Sequence, residues 1–222
     1  MPASALSLDG IPVLHADAAL LVLDKPAGLL SVPGRGADKQ DCLSARVQQH
    51  FADALIVHRL DMATSGLLLM ARGAAVQRLV SHAFATRQVS KRYLAVVDGH
   101  VTPPAADWGV IDLPILADWP NRPLRIIDAR GQPSVTRWRV LAHGQLPTGR
   151  PVTRLELEPV TGRSHQLRVH LKALGHAIVG DALYASAAVQ ADSARLLLHA
   201  CELALAHPLN GEILQFDSSP SF

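Results

Sequence analysis

The sequence has little of what membrane, secreted or cysteine-ligated zinc proteins require. Its 222 residues include two cysteines, Cys42 and Cys201, and neither lies in a CxxC pair, so a disulfide framework and a cysteine zinc site are excluded. The longest apolar runs, such as 18–23 and 66–71, are far shorter than the roughly 20 residues of a membrane helix. The first residues, MPAS, lack the basic and apolar regions of a secretory signal. We therefore expect a reduced, cytoplasmic globular protein without membrane contact.

Motifs for nucleotide cofactors and catalytic metals are also missing. No GxGxxG, GxxxxGK[ST] or GxSxG segment occurs, so a nucleotide cofactor and a serine-hydrolase elbow lack support. The chain has 11 histidines but no HxH, HxxxH or HExxH pair. His165 and His170 are five residues apart, a spacing that aligns two ligands poorly on a helix. We expect neither a metal nor an organic cofactor.

The composition predicts one globular domain. Apolar residues make up 49% of the chain and charged residues 18%, which allows a sizeable core. No repeat, low-complexity tract or long linker divides the sequence, so a single domain is expected over residues 1–222. Many strand patterns with few helices, and no regular strand–helix alternation, predict an α+β fold with a mixed, largely antiparallel sheet.

Hydrophobic periodicity places the main elements. Residues 74–87 form the clearest helix, because an apolar stripe recurs at helical spacing from Val76 to Phe84. Two shorter helices are predicted after Asp41 and Ser164, with these residues as caps, and Arg168 is expected off the buried face of the second. Alternating or β-branched segments predict strands at 13–15, 19–24, 55–57, 66–71, 91–97, 124–128, 134–141, 152–158, 196–206 and 213–216.

Positive charge is concentrated although the net charge is only +2. Residues 72–92, 122–139 and 150–172 hold 15 of the 21 lysines and arginines, and only three of the 19 acidic residues. If the three stretches share one face, that face suits a polyanion. Scattered, solvated charges would fit the same counts. The charge pattern alone leaves both alternatives open.

Two polar clusters flank the early strands. The loop 25–34, KPAGLLSVPG, directly follows a strand. The segment 58–66, HRLDMATSG, runs from one apolar strand to the next and places Asp61 among arginine, threonine, serine and glycine. A carboxylate on such a tight loop is a candidate nucleophile or base. A purely structural Asx turn is the alternative.

Two further clusters suit an anionic ligand. Tyr93 follows Lys91 and Arg92, and an aromatic ring beside basic side chains favours base stacking combined with phosphate contacts. The segment 161–170, TGRSHQLRVH, reads as a strand end, a turn and a helix start, and it continues into 175–181. Such a segment can present backbone N–H groups and guanidinium groups to an anion.

The second cluster, extended to HRLDMATSGLLL, resembles the catalytic segment of the RluA family of RNA pseudouridine synthases. KPAGLLSVP, KRY and TGRSHQLRVHLKALGHAIVGDALY match the same family in the same order, from residue 13 to about 185. Met62-Ala63 and the segment DWPNRP, 118–123, resemble the RluA subgroup, as does the lack of room for an S4 RNA-binding domain before the first loop. Ala177 departs from the proline usual in the family.

The resemblance implies a pseudouridine synthase fold, with the catalytic cleft across a mixed sheet, and isomerisation of uridine within RNA. By position, Asp61 is the essential aspartate, Tyr93 stacks on the target base, and Arg168 pairs with the aspartate. The residues predicted to contact RNA are Arg59, Arg78, Arg87, Lys91, Arg92, Arg163 and His165.

The chemistry fits these residue types. Pseudouridine formation breaks the C1′–N1 bond, rotates the uracil and joins C5 to C1′. A carboxylate could attack the sugar or the base, or remove a sugar proton, and the sequence leaves these three open. An adjacent guanidinium keeps a buried carboxylate ionised, and stacking worth ~1–3 kcal/mol per base would hold the detached uracil. Because the reacting base must leave its stack, base flipping is expected.

The RluA subgroup implies stem-loops of 23S rRNA and the anticodon arm of tRNA as substrates. We expect a monomer that requires no protein partner. Three alternatives stay open: the same isomerisation restricted to one RNA class, a non-catalytic RNA-binding module that would not need Asp61, and a nucleoside N-glycosidase that would release the base.

Overall fold

A computed structural model describes residues 7–222. Its strands are β1 (Ser7–Leu8), β2 (Ile11–Ala16), β3 (Leu20–Lys25), β4 (Ala54–Ile56), β5 (Ser65–Arg72), β6 (Ser90–Asp98), β7 (Gly109–Asp112), β8 (Ile115–Ala117), β9 (Arg125–Ile127), β10 (Val135–Gln145), β11 (Pro151–Pro159), β12 (Leu198–Ala206) and β13 (Ile213–Asp217). Its α-helices are α1 (Leu43–His50), α2 (Ala74–Ala85), α3 (Gln166–Ala173) and α4 (Ala187–Ala191), with a 3₁₀ turn at Ala37–Lys39.

The chain divides into two compact units. The first takes the described residues up to Lys91 together with His199–Ser221, and the second takes Arg92–Leu198 and Phe222. The single domain expected over residues 1–222 stays a prediction. None of the helices within residues 7–222 is long and apolar enough to cross a membrane.

The first unit is built on strands in the order β1-β2-β3-β5-β12, with β4 against β5 and β13 against β12. All these pairs are antiparallel except β5 with β12, which is parallel. β3 and β5 are buried along most of their length because both are nearly continuous apolar runs. Helix α2 packs Val76 and Val80 against this layer.

A tight turn joins β2 to β3. The Asp17 carboxylate accepts hydrogen bonds from the backbone N–H groups of Ala19 (2.6 Å) and Leu20 (2.7 Å). Partial burial is the largest single effect and opposes ionisation of this carboxyl, but the two backbone donors together with His15 outweigh it and lower the pKa of Asp17 to about 2. The turn is therefore a charged Asx turn.

The second unit contains the antiparallel order β6-β11-β10-β7 and a separate β8–β9 hairpin. Ala95, Leu155 and Leu157 form part of its buried layer. The sequence analysis does not predict strands β1, β7 and β8 or helix α4. The α+β fold with a mixed, largely antiparallel sheet is confirmed.

Two predicted helix caps are wrong. Helix α1 begins after Cys42, whose Sγ accepts the N–H of Ala45, while Asp41 pairs with Arg46 at 2.7 Å. Helix α3 follows His165 in a left-handed conformation, φ 57°, with no side-chain cap from Ser164. A short carboxylate or hydroxyl favours a cap only where the backbone turns toward the helix at that residue.

Candidate active site

The segment 58–64, here called the aspartate loop, joins β4 to β5 and carries Asp61. The carbonyl of Asp61 accepts the N–H of Thr64 at 3.1 Å, which closes a turn directly before the buried strand β5. Asp61 itself is partly buried. A rigid strand therefore continues within a few residues of this carboxylate, which limits the motion of its backbone.

Lys25 braces the aspartate loop from the end of β3. Its side chain is fully buried, and Nζ donates to the carbonyls of Pro26 (2.8 Å), Leu29 (2.8 Å) and Met62 (3.2 Å). The N–H of Gly28 also donates to the Met62 carbonyl at 2.8 Å. The residue after Asp61 is thus bound by two donors of the first polar cluster.

Ser31 holds the residue before Asp61. Its Oγ donates to the Leu60 carbonyl at 2.7 Å and accepts the Leu60 N–H at 3.1 Å. Together with Lys25, this fixes the backbone on both sides of the carboxylate. The first two polar clusters of the sequence therefore meet.

His58 anchors the start of the aspartate loop. Its Nε2 accepts the N–H of Leu69 at 2.9 Å, and its ring stacks on Phe84 with centroids 4.6 Å apart. Burial, with the nearby positive charge of Lys91, lowers the pKa of His58 to about 3. The ring is therefore neutral near pH 7, with the proton on Nδ1.

A polar chain that sequence reasoning missed runs beside the loop's exit. Ser65 Oγ lies 2.8 Å from His199 Nδ1, and His199 Nε2 lies 3.1 Å from Ser218 Oγ. Ser218 in turn donates to Asp24 at 2.6 Å. These residues are far apart in sequence, so only the fold brings them together.

Position 66 can accommodate only glycine. Its φ is 109°, and a Cβ there would lie 2.3 Å from the carbonyl oxygen of Ala200. The parallel pairing of β5 with β12 thus permits only glycine directly after Ser65.

In the second unit, Arg168 and Asp181 form a buried, bidentate ion pair. Arg168 Nε lies 2.8 Å from Oδ2 and Nη2 lies 2.6 Å from Oδ1. Arg168 is 4% exposed, so the prediction that it lies off the buried face of its helix is wrong. Residues 166–171 of α3 are buried all round, and the charge is tolerated there because it is paired. Sequence reasoning assigned no partner role to Asp181.

His165 belongs to the same framework. Its Nδ1 lies 2.7 Å from the hydroxyl of Tyr184, and that hydroxyl accepts the N–H of Arg125 at 2.9 Å. Arg163 is exposed, with Nε 3.4 Å from the Pro133 carbonyl. Of these two predicted RNA contacts, Arg163 is exposed to solvent and His165 is partly buried.

Arg92 and Tyr93 are the first two residues of the second unit. Tyr93 lies opposite Leu157 of β11 and is partly buried. Arg92 forms an ion pair with Glu158 at 2.8 Å and lies 4.6 Å from the ring of Trp108. The charge of this predicted RNA contact is therefore offset by an acid.

The first unit places its basic side chains differently. Arg59, Arg78 and Arg87 are exposed and form no ion pair among residues 7–222. Arg87 also has φ 61°, a conformation that favours glycine, in the turn that ends α2. Lys91 lies 5.7 Å from the Phe84 ring, and burial lowers its pKa.

Comparison with known proteins decides the family. The sequence profile described as RNA pseudouridylate synthase matches residues 19–173. The chain belongs to the RNA pseudouridylate synthase family. The enzyme class predicted from the sequence, a pseudouridine synthase, is therefore confirmed.

Relatives of this synthase cover nearly all of it. The protein named Dual-specificity RNA pseudouridine synthase RluA from Yersinia pestis is 43% identical over 211 residues, 95% of this chain and 99% of the relative. The protein of the same name from Haemophilus influenzae is 42% identical over 213 residues, 96% and 94% of the two chains.

Solved structures agree on the fold of the synthase. Human RNA Pseudouridylate Synthase Domain Containing 1 has a TM-score of 0.79 at 30% identity, covering 99% of this chain and 87% of that one. Human RNA Pseudouridylate Synthase Domain Containing 4 has a TM-score of 0.70 at 27% identity, covering 94% and 88%.

Proposed function

We propose that this synthase isomerises specific uridines in stem-loops of 23S rRNA and of the anticodon arm of tRNA, with Asp61 as the essential carboxylate. The observation that carries the role of Asp61 is the clamp on its backbone: Lys25 binds Met62 and Ser31 binds Leu60. Two RNA classes are proposed because relatives over 40% identical are named dual-specificity enzymes.

The three proposed catalytic residues divide the work. The carboxylate of Asp61 opens the reaction, whether at the sugar or at the base, and the C1′–N1 bond breaks. Tyr93 stacks on the detached uracil while it rotates. C5 then bonds to C1′, the proton on C5 is released to solvent, and N1 takes up a proton from solvent in its place.

Arg168 is proposed as the cation that keeps the Asp61 carboxylate ionised. Asp181 accepts hydrogen bonds from Nε and Nη2 of this guanidinium, which fixes its position. A guanidinium already fixed in a bidentate pair loses little conformational freedom in forming a further contact. The target uridine is proposed to flip out of its stack, which is easiest in a hairpin loop.

Tritium release tests the reaction. Stem-loops carrying [5-³H]uridine, one from 23S rRNA and one from the tRNA anticodon arm, are incubated with the wild-type protein. Isomerisation releases tritium to water and retains the base in the RNA. Release from both RNAs is expected, and release from one alone would restrict the enzyme to one class. Binding without release would indicate an RNA-binding module, and free uracil would indicate a glycosidase.

We further propose that the synthase works as a cytoplasmic monomer without a protein partner. Light scattering of the purified chain, alone and with a stem-loop, should give the mass of one copy. A mass of two copies would contradict this part of the proposal.

A further inference from the structure

The β8–β9 hairpin of the second unit has an ordered tip. Asp118 donates its N–H to the Leu124 carbonyl at 3.1 Å, and Leu124 donates to the Asn121 carbonyl at 3.0 Å. The side-chain amide of Asn121 donates to the Asp118 carboxylate at 3.0 Å. These bonds hold the connection between Ala117 and Arg125 in one conformation.

Trp119 stands exposed on this tip. It is 66% exposed, whereas Trp138 of the same unit is 7% exposed. The guanidinium carbon of Arg122 lies 3.3 Å from the centroid of the Trp119 ring, a close cation–π contact. The indole is therefore oriented by a cation and still presents a large apolar surface to solvent.

The charges around Trp119 also suit an anion. Arg122 and Arg125 form no ion pair among residues 7–222. The arginines of the neighbouring sheet differ, because Arg137 pairs with Glu158 and Arg139 pairs with Glu156. In the basic stretch 122–139, the two arginines nearest in sequence to the exposed Trp119 are thus ones without an acidic partner.

The hairpin is anchored on the framework that holds Arg168. The N–H of Arg125 donates to the Tyr184 hydroxyl, which lies 2.7 Å from His165 at the start of α3. Leu124 and Ile127 pack on the cluster that contains Val169 of α3. The tip is therefore fixed relative to Arg168 and not an independent loop.

We propose that the β8–β9 hairpin is an RNA-docking element of the synthase: Trp119 stacks on an unpaired base other than the reacting uridine, and Arg122 and Arg125 contact adjacent phosphates. An exposed aromatic ring beside unpaired arginines is the combination that binds single-stranded RNA. The proposal rests on the proposed function, because it takes the substrate stem-loop as the ligand.

Binding measurements separate stacking from charge. A labelled stem-loop and a blunt duplex of the same stem are titrated with wild type, Trp119→Ala, Trp119→Phe and Arg122→Ala. We expect Trp119→Ala to weaken stem-loop binding about tenfold or more and to change duplex binding little, with Trp119→Phe retaining most of the affinity. Arg122→Ala should reduce the slope of log affinity against log salt by up to about one.

The matched control is Leu209→Ala, which removes another exposed apolar side chain, 63% exposed, in the first unit. It should bind both RNAs like the wild type. Equal stem-loop affinity for Trp119→Ala and wild type would overturn the proposal. So would an oligomer that Trp119→Ala dissociates without any change in RNA affinity, since the ring would then contact a second copy.

Turnover distinguishes this proposal from the proposed function. In the tritium assay Trp119→Ala should raise KM about tenfold and leave kcat nearly unchanged, because the ring touches no reacting atom. If the wild type released no tritium while binding still depended on Trp119, the proposed function would fail and the docking element would stand. Normal release with an unaltered KM would contradict the docking element alone.

Discussion

Arg168 and Asp181 meet in a buried, two-point ion pair, with N–O distances of 2.8 and 2.6 Å. Asp181 also accepts the N–H groups of Leu183 and Tyr184, at 2.9 and 3.2 Å, so two backbone donors hold its carboxylate as well as the arginine. The pair therefore positions a cation that the family resemblance places in catalysis. We therefore expect substitutions at this site to change stability and activity together.

Removing one partner should destabilise the protein. Arg168→Ala leaves the Asp181 carboxylate buried without its guanidinium, at a cost of about 3–5 kcal/mol in the free energy of unfolding. Denaturant titration measures this loss, and tritium release should also disappear. An unaltered unfolding midpoint would contradict the importance of the pair.

The double variant Arg168→Met/Asp181→Leu separates the two roles. Replacing a buried ion pair by apolar side chains of similar size is often neutral for stability, so much of the lost free energy should return. Turnover should not return, because no cation remains at position 168. Activity in the double variant would show that Arg168 is only structural.

Asp61→Asn should fold, bind RNA and lose turnover. The amide keeps the shape of the side chain but supplies no negative charge for the reaction. Thermal unfolding and stem-loop affinity should stay close to wild type while tritium release falls to background. Wild-type rates would remove Asp61 from the mechanism.

Ser31→Ala tests the clamp on the aspartate loop. It removes two hydrogen bonds to Leu60 and leaves a buried N–H and carbonyl without that partner, which should cost about 1–3 kcal/mol. We expect kcat to fall as well, because the carboxylate loses a fixed backbone. Ser164→Ala is the matched control, since Ser164 is exposed and should have little effect on either quantity.

His58 makes stability depend on pH. Burial, with the charge of Lys91, lowers its folded pKa to about 3 from the ordinary 6.5, so below pH 6.5 the unfolded chain binds a proton that the folded state excludes. The contribution of the neutral ring is complete above pH 6.5 and is lost as the pH falls toward 3, by up to about 1.4 kcal/mol per pH unit.

The measurement is the free energy of unfolding between about pH 6 and 4. In His58→Gln this free energy should fall less steeply as the pH decreases. Part of the fall should remain, because burial also lowers the pKa of His170. Asp17→Asn is the control, because the Asp17 carboxylate loses its contribution to stability only as the pH falls from 3.8 to about 2, below the measured range. An unchanged slope in His58→Gln would contradict the assignment.

Salt dependence tests whether α2 and the turn after it contact RNA. Arg78→Ala and Arg87→Ala each remove an exposed charge that has no ion-pair partner within residues 7–222, so each should weaken RNA binding and flatten its salt dependence. Arg46→Ala is the matched control, because Asp41 already pairs with that arginine. If Arg78→Ala and Arg87→Ala both kept the wild-type slope, α2 and the turn after it would not contact RNA.

Local patterns were sufficient for the elements that contain a periodic apolar face. Helix α2 is predicted over residues 74–87 because five apolar positions from Val76 to Phe84 repeat at helical spacing, and it ends two residues earlier, at Ala85. The helix ends early because Arg87 is left-handed and the N–H groups of Arg87 and Gln88 return to the carbonyls of Phe84 and Ala83. Arginine gives no sequence signal for that conformation.

The sequence predicts the four segments of the candidate site. It does not predict the contacts that their residues form. Lys25 binds three backbone carbonyls, and a carbonyl acceptor leaves no trace in side-chain identity. Asp181 lies 13 residues from Arg168, so their pairing depends on how the chain turns after α3. The leucine spacing of α3 places Arg168 off the buried face. Its burial instead depends on its pairing with Asp181.

Gly66 and Ala200 lie side by side although 134 residues separate Ser65 from His199. The strand that leaves the aspartate loop therefore gains its parallel neighbour only after translation has passed residue 200. Until then, a nascent chain emerging from the ribosome carries an unpaired strand edge beside its key carboxylate. We expect the enzyme to acquire activity late in its own synthesis, after most of the polypeptide has been made.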